Sequence, residues 1–153
     1  MFRFRYRFFF FLFLFISGYL FSQKVVDSLV KTLRFVNDSI YVVNCCSIAD
    51  EYVELKKPAI AFYYLDSAMK KAIQIKNFRT QAYVYNNKGN TYNYLNDFGK
   101  ALDNFEKAID IYKKINYLPG IVNALINKGN TFFYAGELSK AEGCYLKCIE
   151  SQL

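Results

Sequence analysis

Apolar side chains recur at helical spacing through most of the chain. Leu95, Phe98, Leu102, Phe105, Ile109 and Tyr112 follow one another at steps of three or four, which puts them all on one side of a helix. Asn96-Asp97 and Gly136-Glu137 stand between two such runs and predict tight turns, each with a residue that tolerates positive φ. Pro58 falls where a second helix should begin. A proline suits the first helical turn, because its missing N–H would be unpaired there anyway. Asn116-Tyr117-Leu118 and then Pro119 close one helix and open the next in the same way. Acid-before-base pairs four residues apart, Asp66/Lys70, Asp103/Lys107 and Asp110/Lys114, mark exposed helix sides. The pattern predicts an all-α chain of antiparallel helix pairs, A then B.

The pairs repeat. Asn87-Lys88-Gly89-Asn90-Thr91-Tyr92 returns as Asn127-Lys128-Gly129-Asn130-Thr131-Phe132, forty positions on. The same shift sets Ala101 against Ala141, Phe105 against Tyr145 and Ala108 against Cys148, and a backward shift finds Ala49, Tyr52, Ala61, Leu65 and Ala68. Three copies are predicted, over residues 41–80, 81–120 and 121–153. Ahead of them, residues 23–40 hold an amphipathic stretch from Val25 to Phe35. Phe35 aligns with Ile75 and Ile115, so this stretch reads as a lone B-type helix closing the N-terminal end. No such closure follows the third copy, and terminal repeats need a polar face. Either the apolar side of Leu146 and Ile149 meets a partner, self-association included, or the natural protein continues beyond Leu153.

The offsets resemble the tetratricopeptide repeat family. Tyr85, Gly89, Tyr92, Ala101, Phe105 and Ala108 match all six of its positions in the second copy. The third offers Leu125, Gly129, Phe132, Ala141, Tyr145 and Cys148, and the first offers Cys45, Ala49, Tyr52, Ala61, Leu65 and Ala68. The resemblance covers about Tyr41 to Leu153 and implies an α-α superhelix. The forty-residue period is similar to the longer-helix branch of the family, found in regulators and scaffolds that bind peptides or partner domains. Gly or Ala lets helices A and B approach, and the aromatics fill the space beside them. Lys88 and Lys128 stand where the family usually has Leu; their stems are expected to pack while the ammonium reaches water.

Residues 1–22 differ from everything after them. They hold 9 of the 16 Phe, and Arg3, Arg5 and Arg7 with no acid. A short basic end, the apolar run Phe8 to Ile16 and small residues before a polar start are the plan of a secretory signal peptide, with cleavage expected after Ser22. An uncleaved anchor is the competing reading, although a span needs roughly 20 apolar residues. Any membrane contact is expected through this segment alone. Without it the net charge of +7 falls to +4, from 17 basic against 13 acidic residues. That charge is spread over the helices, so nucleic-acid binding is not supported. Hydrophobic residues at 54% exclude a disordered chain, and 2 Pro with 7 Gly argue against a many-stranded fold.

The chain has no His. That removes Ser-His-Asp and Cys-His catalysis and His-rich zinc sites. Cys45 and Cys46 lie about two repeats from Cys144 and Cys148, too far to share a metal, and the i,i+4 pair is poorly aimed for a disulfide. Cys45 and Cys148 read as small buried residues. Glu51/Glu54 and Glu106/Asp110 sit beside Lys on exposed sides and suggest no acid–base machinery. No cofactor, metal or catalytic residue is expected.

The resemblance implies that helix A lines a concave groove. Its residues are then Tyr83, Asn86, Asn87, Asn90, Asn93 and Tyr94 in the second copy, and Asn123, Ile126, Asn127, Asn130, Phe133 and Tyr134 in the third. Asn is a poor helix former, and its amide both donates and accepts, so it can pair with the backbone of an extended peptide whatever the peptide's charge. The alternative is a ladder of solvated amides with no ligand. Cys46, Asn86 and Ile126 hold the positions where the family's carboxylate clamp needs Lys, so a C-terminal acidic tail is not expected. Taken together, these features predict a non-catalytic, protein- or peptide-binding scaffold exported to the periplasm or cell envelope. The alternative is the extracytoplasmic sensor region of a larger signalling protein, a histidine kinase or transcriptional regulator.

Overall fold

The computed structural model describes residues 23–33 and 36–150. The predicted export segment 1–22, Phe35 and Leu153 lie outside the described residues. Helix α1 spans residues 23–32. It is followed by α2 (Asp38–Glu54), α3 (Pro58–Gln74), α4 (Phe78–Tyr94), α5 (Phe98–Lys114), α6 (Leu118–Tyr134) and α7 (Leu138–Glu150). No strand occurs among the described residues. The even-numbered helices are the A members of three pairs and the odd-numbered ones from α3 the B members. Helices A start at residues 38, 78 and 118, three residues ahead of 41, 81 and 121. Side-chain capping sets the start of α2 and α4, while α6 has no such bond and starts at the predicted Leu118-Pro119. The side chains of Asn37 and Asn77 accept hydrogen bonds from the backbone N–H of Ile40 and Thr80. Asp97 does the same for Lys100 at the start of α5. Pro58 and Pro119 lie in the first turns of α3 and α6, as their ring geometry favours.

All five junctions between α2 and α7 are three residues long and closed by the same pair of hydrogen bonds. At the first, Lys57 N–H donates to Tyr52 O at 2.8 Å and Lys56 N–H to Val53 O at 2.9 Å. This is the Schellman arrangement, which needs a left-handed middle residue. Asn96 and Gly136 take that conformation, as the turn chemistry predicts. So do Asn116, at φ +52°, and two lysines, Lys56 at +59° and Lys76 at +53°. A side chain there costs roughly 1–2 kcal/mol, so the bonding of the turn and the packing of the pair must hold the lysines in place.

The packing is tightest where A meets B. A methyl group built on Gly89 would lie 2.5 Å from the Phe105 ring, and one on Gly129 would lie 2.6 Å from Tyr145. In the first pair the same two positions hold Ala49 and Leu65, both fully buried. The smaller partner on one helix goes with the larger on the other, so total volume is conserved.

Helix α1 packs against α2. Val26 is forty residues before Asp66, and Ile48 forty before Lys88. Val26 and Ile48 share one apolar cluster with Leu55. Asp66 and Lys88 form an ion pair at 2.7 Å, and Glu106 and Lys128 repeat it at 2.7 Å. Lys88 and Lys128 are only 20% and 19% exposed, so their stems do pack. Each ammonium ends on an acid of the preceding B helix rather than in open water. Asp66, Lys70, Asp103, Lys107, Asp110 and Lys114 are all exposed, as their spacing predicts, though none of the three i,i+4 pairs closes as an ion pair among the described residues. Asp66 is taken by Lys88, and the Lys107 ammonium lies over the Tyr85 ring instead.

Gly89→Ala is expected to destabilise the chain by about 1–2 kcal/mol, because overpacking costs about 1–3 kcal/mol and better helix propensity returns at most about 1. Adding Phe105→Leu recreates the Ala49/Leu65 pair. Urea unfolding of both single variants and the double variant should then give a favourable coupling of about 1 kcal/mol or more. Strict additivity would show that the two positions do not share one space.

Candidate binding site

Successive A helices touch, α2 against α4 and α4 against α6, while α3, α5 and α7 do not neighbour one another in this way. The array therefore curves with the A helices inside. Shifts of forty align the inward positions: Val43, Tyr83 and Asn123; Ser47, Asn87 and Asn127; Asp50, Asn90 and Asn130; Glu54, Tyr94 and Tyr134.

The middle of this face is spent on the fold. Asn86 is 5% exposed; its amide donates to Asn123 Oδ1 at 3.2 Å and its carbonyl accepts from Asn127 Nδ2 at 3.2 Å. Asn87, at 4% exposure, donates to the Tyr83 carbonyl at 2.8 Å. Both were expected in the groove, and burial withdraws both from it. They lie on the seam where α4 meets α6 and α5, and a buried amide left unpaired would cost about 1–3 kcal/mol. Cys46, aligned with Asn86, is fully buried as well.

On either side of that network the face opens into a cavity. The first, of about 620 Å³, is lined by Asn90, Asn93, Tyr94, Asn96, Phe98, Asn127, Asn130 and Tyr134. It sits at the C-terminal ends of α4 and α6 and gathers six of the twelve predicted groove residues. Tyr134 is 65% exposed. Asn130 accepts a hydrogen bond from Tyr145 at 2.8 Å, and the buried Oδ1 of Asn93 has no partner among the described residues. Tyr94 accepts a hydrogen bond from the Lys56 ammonium, which also lies over its ring.

The second cavity, of about 680 Å³, lies at the opposite ends of the A helices. It holds Tyr83 and Asn123 from the predicted set, and several residues that the offsets missed: Ile40, Val43, Arg79, Tyr112, Tyr117 and Pro119. The Arg79 guanidinium lies 4.0 Å above the Tyr117 ring and donates to its hydroxyl at 2.6 Å. Burial, then Tyr117, pushes the Tyr112 phenol up to about 12, so it keeps its proton. The missing signal was the helix start. Arg79 is four residues before Tyr83 and extends the inward stripe by one turn, once α4 begins at Phe78.

The four cysteines are buried and form no disulfide among the described residues. No cluster of metal-ligating side chains occurs among the described residues, and no described helix is long and apolar enough to cross a membrane.

Residues 80–152 match the family model of the tetratricopeptide repeat. The second and third helix pairs are tetratricopeptide repeats. Solved structures share its helical fold. BtubC from P. vanneervenii is 23% identical with a TM-score of 0.64, over 73% of this chain and 46% of that one. A signal-transduction ATPase of Pyrococcus horikoshii with a tetratricopeptide repeat sensor is 20% identical with a TM-score of 0.73, over 85% of this chain and 20% of that one. The N-terminal domain of stress-induced protein-1 from C. elegans is 19% identical with a TM-score of 0.58, over 76% of this chain and 87% of that one. The chain thus spans less than half the length of the first two. None of the curated proteins matches it. Tetratricopeptide repeats generally mediate protein–protein interaction, and the scaffold here is of that type.

Asp50, level with Asn90 and Asn130, brings a carboxylate to the inner face. The residue reaches solvent as a whole, but neighbouring side chains displace water around the carboxyl. This burial first, then Glu51 and Glu54, push it up from 3.8 to about 6. The folded state therefore holds this proton more tightly than the unfolded chain does, and stability should fall as pH rises from about 4 through about 6. Asp50→Asn is expected to remove that part of the slope in thermal melts. An Asp50 carboxyl that titrates by NMR at its ordinary value would contradict the assignment.

Proposed function

We propose that this chain is a non-catalytic scaffold that binds an extended segment of a partner protein along the inner face of its A helices. One observation carries the reading. Exposed amides and tyrosines of α4 and α6 converge on one open cavity, where the Asn93 carbonyl lacks a partner. Amides that donate and accept suit a peptide backbone, and the rings of Tyr94 and Tyr134 offer apolar contact at small entropic cost. The composition of residues 1–22 supports export, and we place the scaffold in the periplasm or cell envelope. A second reading makes the chain the sensor region of a larger signalling protein. Apolar surface on the third repeat supports it: Ile126 and Ile149 are 41% and 62% exposed, a surface suited to contact with another domain.

Affinity capture from an envelope extract should recover partners with the wild-type chain. Asn90→Ala/Asn130→Ala should lose them by about tenfold or more, the equivalent of about 1.4 kcal/mol, with an unchanged melting temperature. Equal recovery by both proteins would remove the groove from the binding role. Amino-terminal sequencing of the secreted chain should begin at Gln23; a chain still beginning at Met1 would rule out cleavage.

A further inference from the structure

Between Asp66 and Asp97, and again between Asp110 and Glu137, the chain has no acidic residue. Those two stretches contain the whole of α4 and α6. The A helices of the second and third repeats therefore bring no carboxylate to the inner face. They bring three cations, Arg79, Lys88 and Lys128. Two are neutralised: Lys88 by Asp66 and Lys128 by Glu106. Arg79 is exposed and has no acidic partner among the described residues.

The geometry around Arg79 is that of a prepared anion receptor. Stacking on Tyr117 at 4.0 Å holds the guanidinium plane, and the bond to the Tyr117 hydroxyl uses one N–H. The remaining donors of the planar fork suit a carboxylate. The surrounding charges favour an anion as well. Lys76 lies three residues before Arg79, and Lys113 and Lys114 follow Tyr112 directly. Of the acids of α2, Asp38 is held by Lys71 at 3.1 Å, and Asp50 acts on Tyr83 further along the face. Beside the polar lining of Ser39, Asn77, Thr80 and Asn123 the cavity offers apolar surface: Ile40 and Val43 are 45% and 43% exposed there, with Pro119 also in its lining.

We propose that this second cavity seats an acidic side chain of the partner segment on Arg79, with the adjoining aliphatic side chain lying over Ile40 and Val43. The inference rests on the reading of the inner face as a peptide-binding surface and names the sequence chemistry that the surface selects. Arg79 and Tyr117 give the charge preference; Asn90 and Asn130, at the other end, hold backbone without selecting charge.

The probe is a fluorescein-labelled peptide of alternating Glu and Leu, compared by anisotropy with the same peptide carrying Gln in place of Glu, both titrated with the full chain. The acidic peptide should bind about tenfold more tightly, as one charge-assisted pair can provide. That preference should shrink with added salt. R79Q should bring it below about twofold, and R79K, which keeps the charge and loses the fork, should fall between. Arg79 is exposed, so both variants should melt like the wild type. Equal binding of the two peptides, binding of neither, or a preference that survives R79Q would overturn the inference. Asn90→Ala/Asn130→Ala separates the two claims. It should weaken both peptides alike and leave their ratio unchanged. Unchanged affinity for both, beside a preference that R79Q abolishes, would leave the Arg79 site standing and remove the amide groove.

Discussion

The array depends on how closely helix A approaches helix B. At one position per pair the inner helix offers Gly or Ala and the outer helix fills the gap with Phe105, Tyr145 or Leu65. Axes held this near can be joined by three residues, and the five junctions all close with the same two hydrogen bonds. The tightness of the turn and of the packing are one constraint seen twice. This explains why Lys56 and Lys76 tolerate left-handed backbone. A longer junction would relieve their strain and loosen the pair. Burying Phe105 completely is worth roughly 2–3 kcal/mol, more than the roughly 1–2 kcal/mol the strained turn costs.

From that packing follows the division of labour among the asparagines. Because A helices meet A helices, their shared seam lies under the inner face. Amides in the seam must find partners inside the protein. Asn86 finds them in Asn123 and Asn127 of the next repeat, which ties the second and third repeats in register. Amides one turn further along, at Asn90 and Asn130, clear the seam and reach the cavity. The same residue type thus serves cohesion in the middle of the face and recognition at its end.

The period, the helix pairs, the A/B contact and the positive-φ turns at Asn96 and Gly136 were legible in the sequence, because each rests on spacing or on a residue with few conformational alternatives. Three things were not. The starts of α2 and α4 were one, since Asn37 and Asn77 cap these helices through side-chain bonds that leave no apolar periodicity. Lys88 and Lys128 departed visibly from the family's pattern, but their acids sit 22 residues back, a distance that only the stacking of repeats makes short. Arg79 fell outside the inward stripe for the first reason and was passed over with the scattered charge. Family offsets also put Asn86 and Asn87 on the groove without distinguishing side chains that point across the seam from those that point over it.

The lysine staples bear on that charge. The first repeat shows that the same seat accepts an apolar pair, Val26 with Ile48. Replacing a half-buried ion pair by apolar residues is often neutral or stabilising, so Asp66/Lys88 and Glu106/Lys128 are not explained by stability alone. Their electrostatic effect is more specific. Each turns a cation of an inner helix toward an acid on an outer one. Had Lys88 and Lys128 faced inward, the groove would attract anions along its whole length. With both neutralised, Arg79 stands as a cation near one end of the inner face, Lys56 lies against Tyr94 at the other, and α2 brings the carboxyls of Asp50 and Glu54. A ligand that lies along such a face meets charge at separate points and amides between them. That arrangement discriminates by register as well as by net charge.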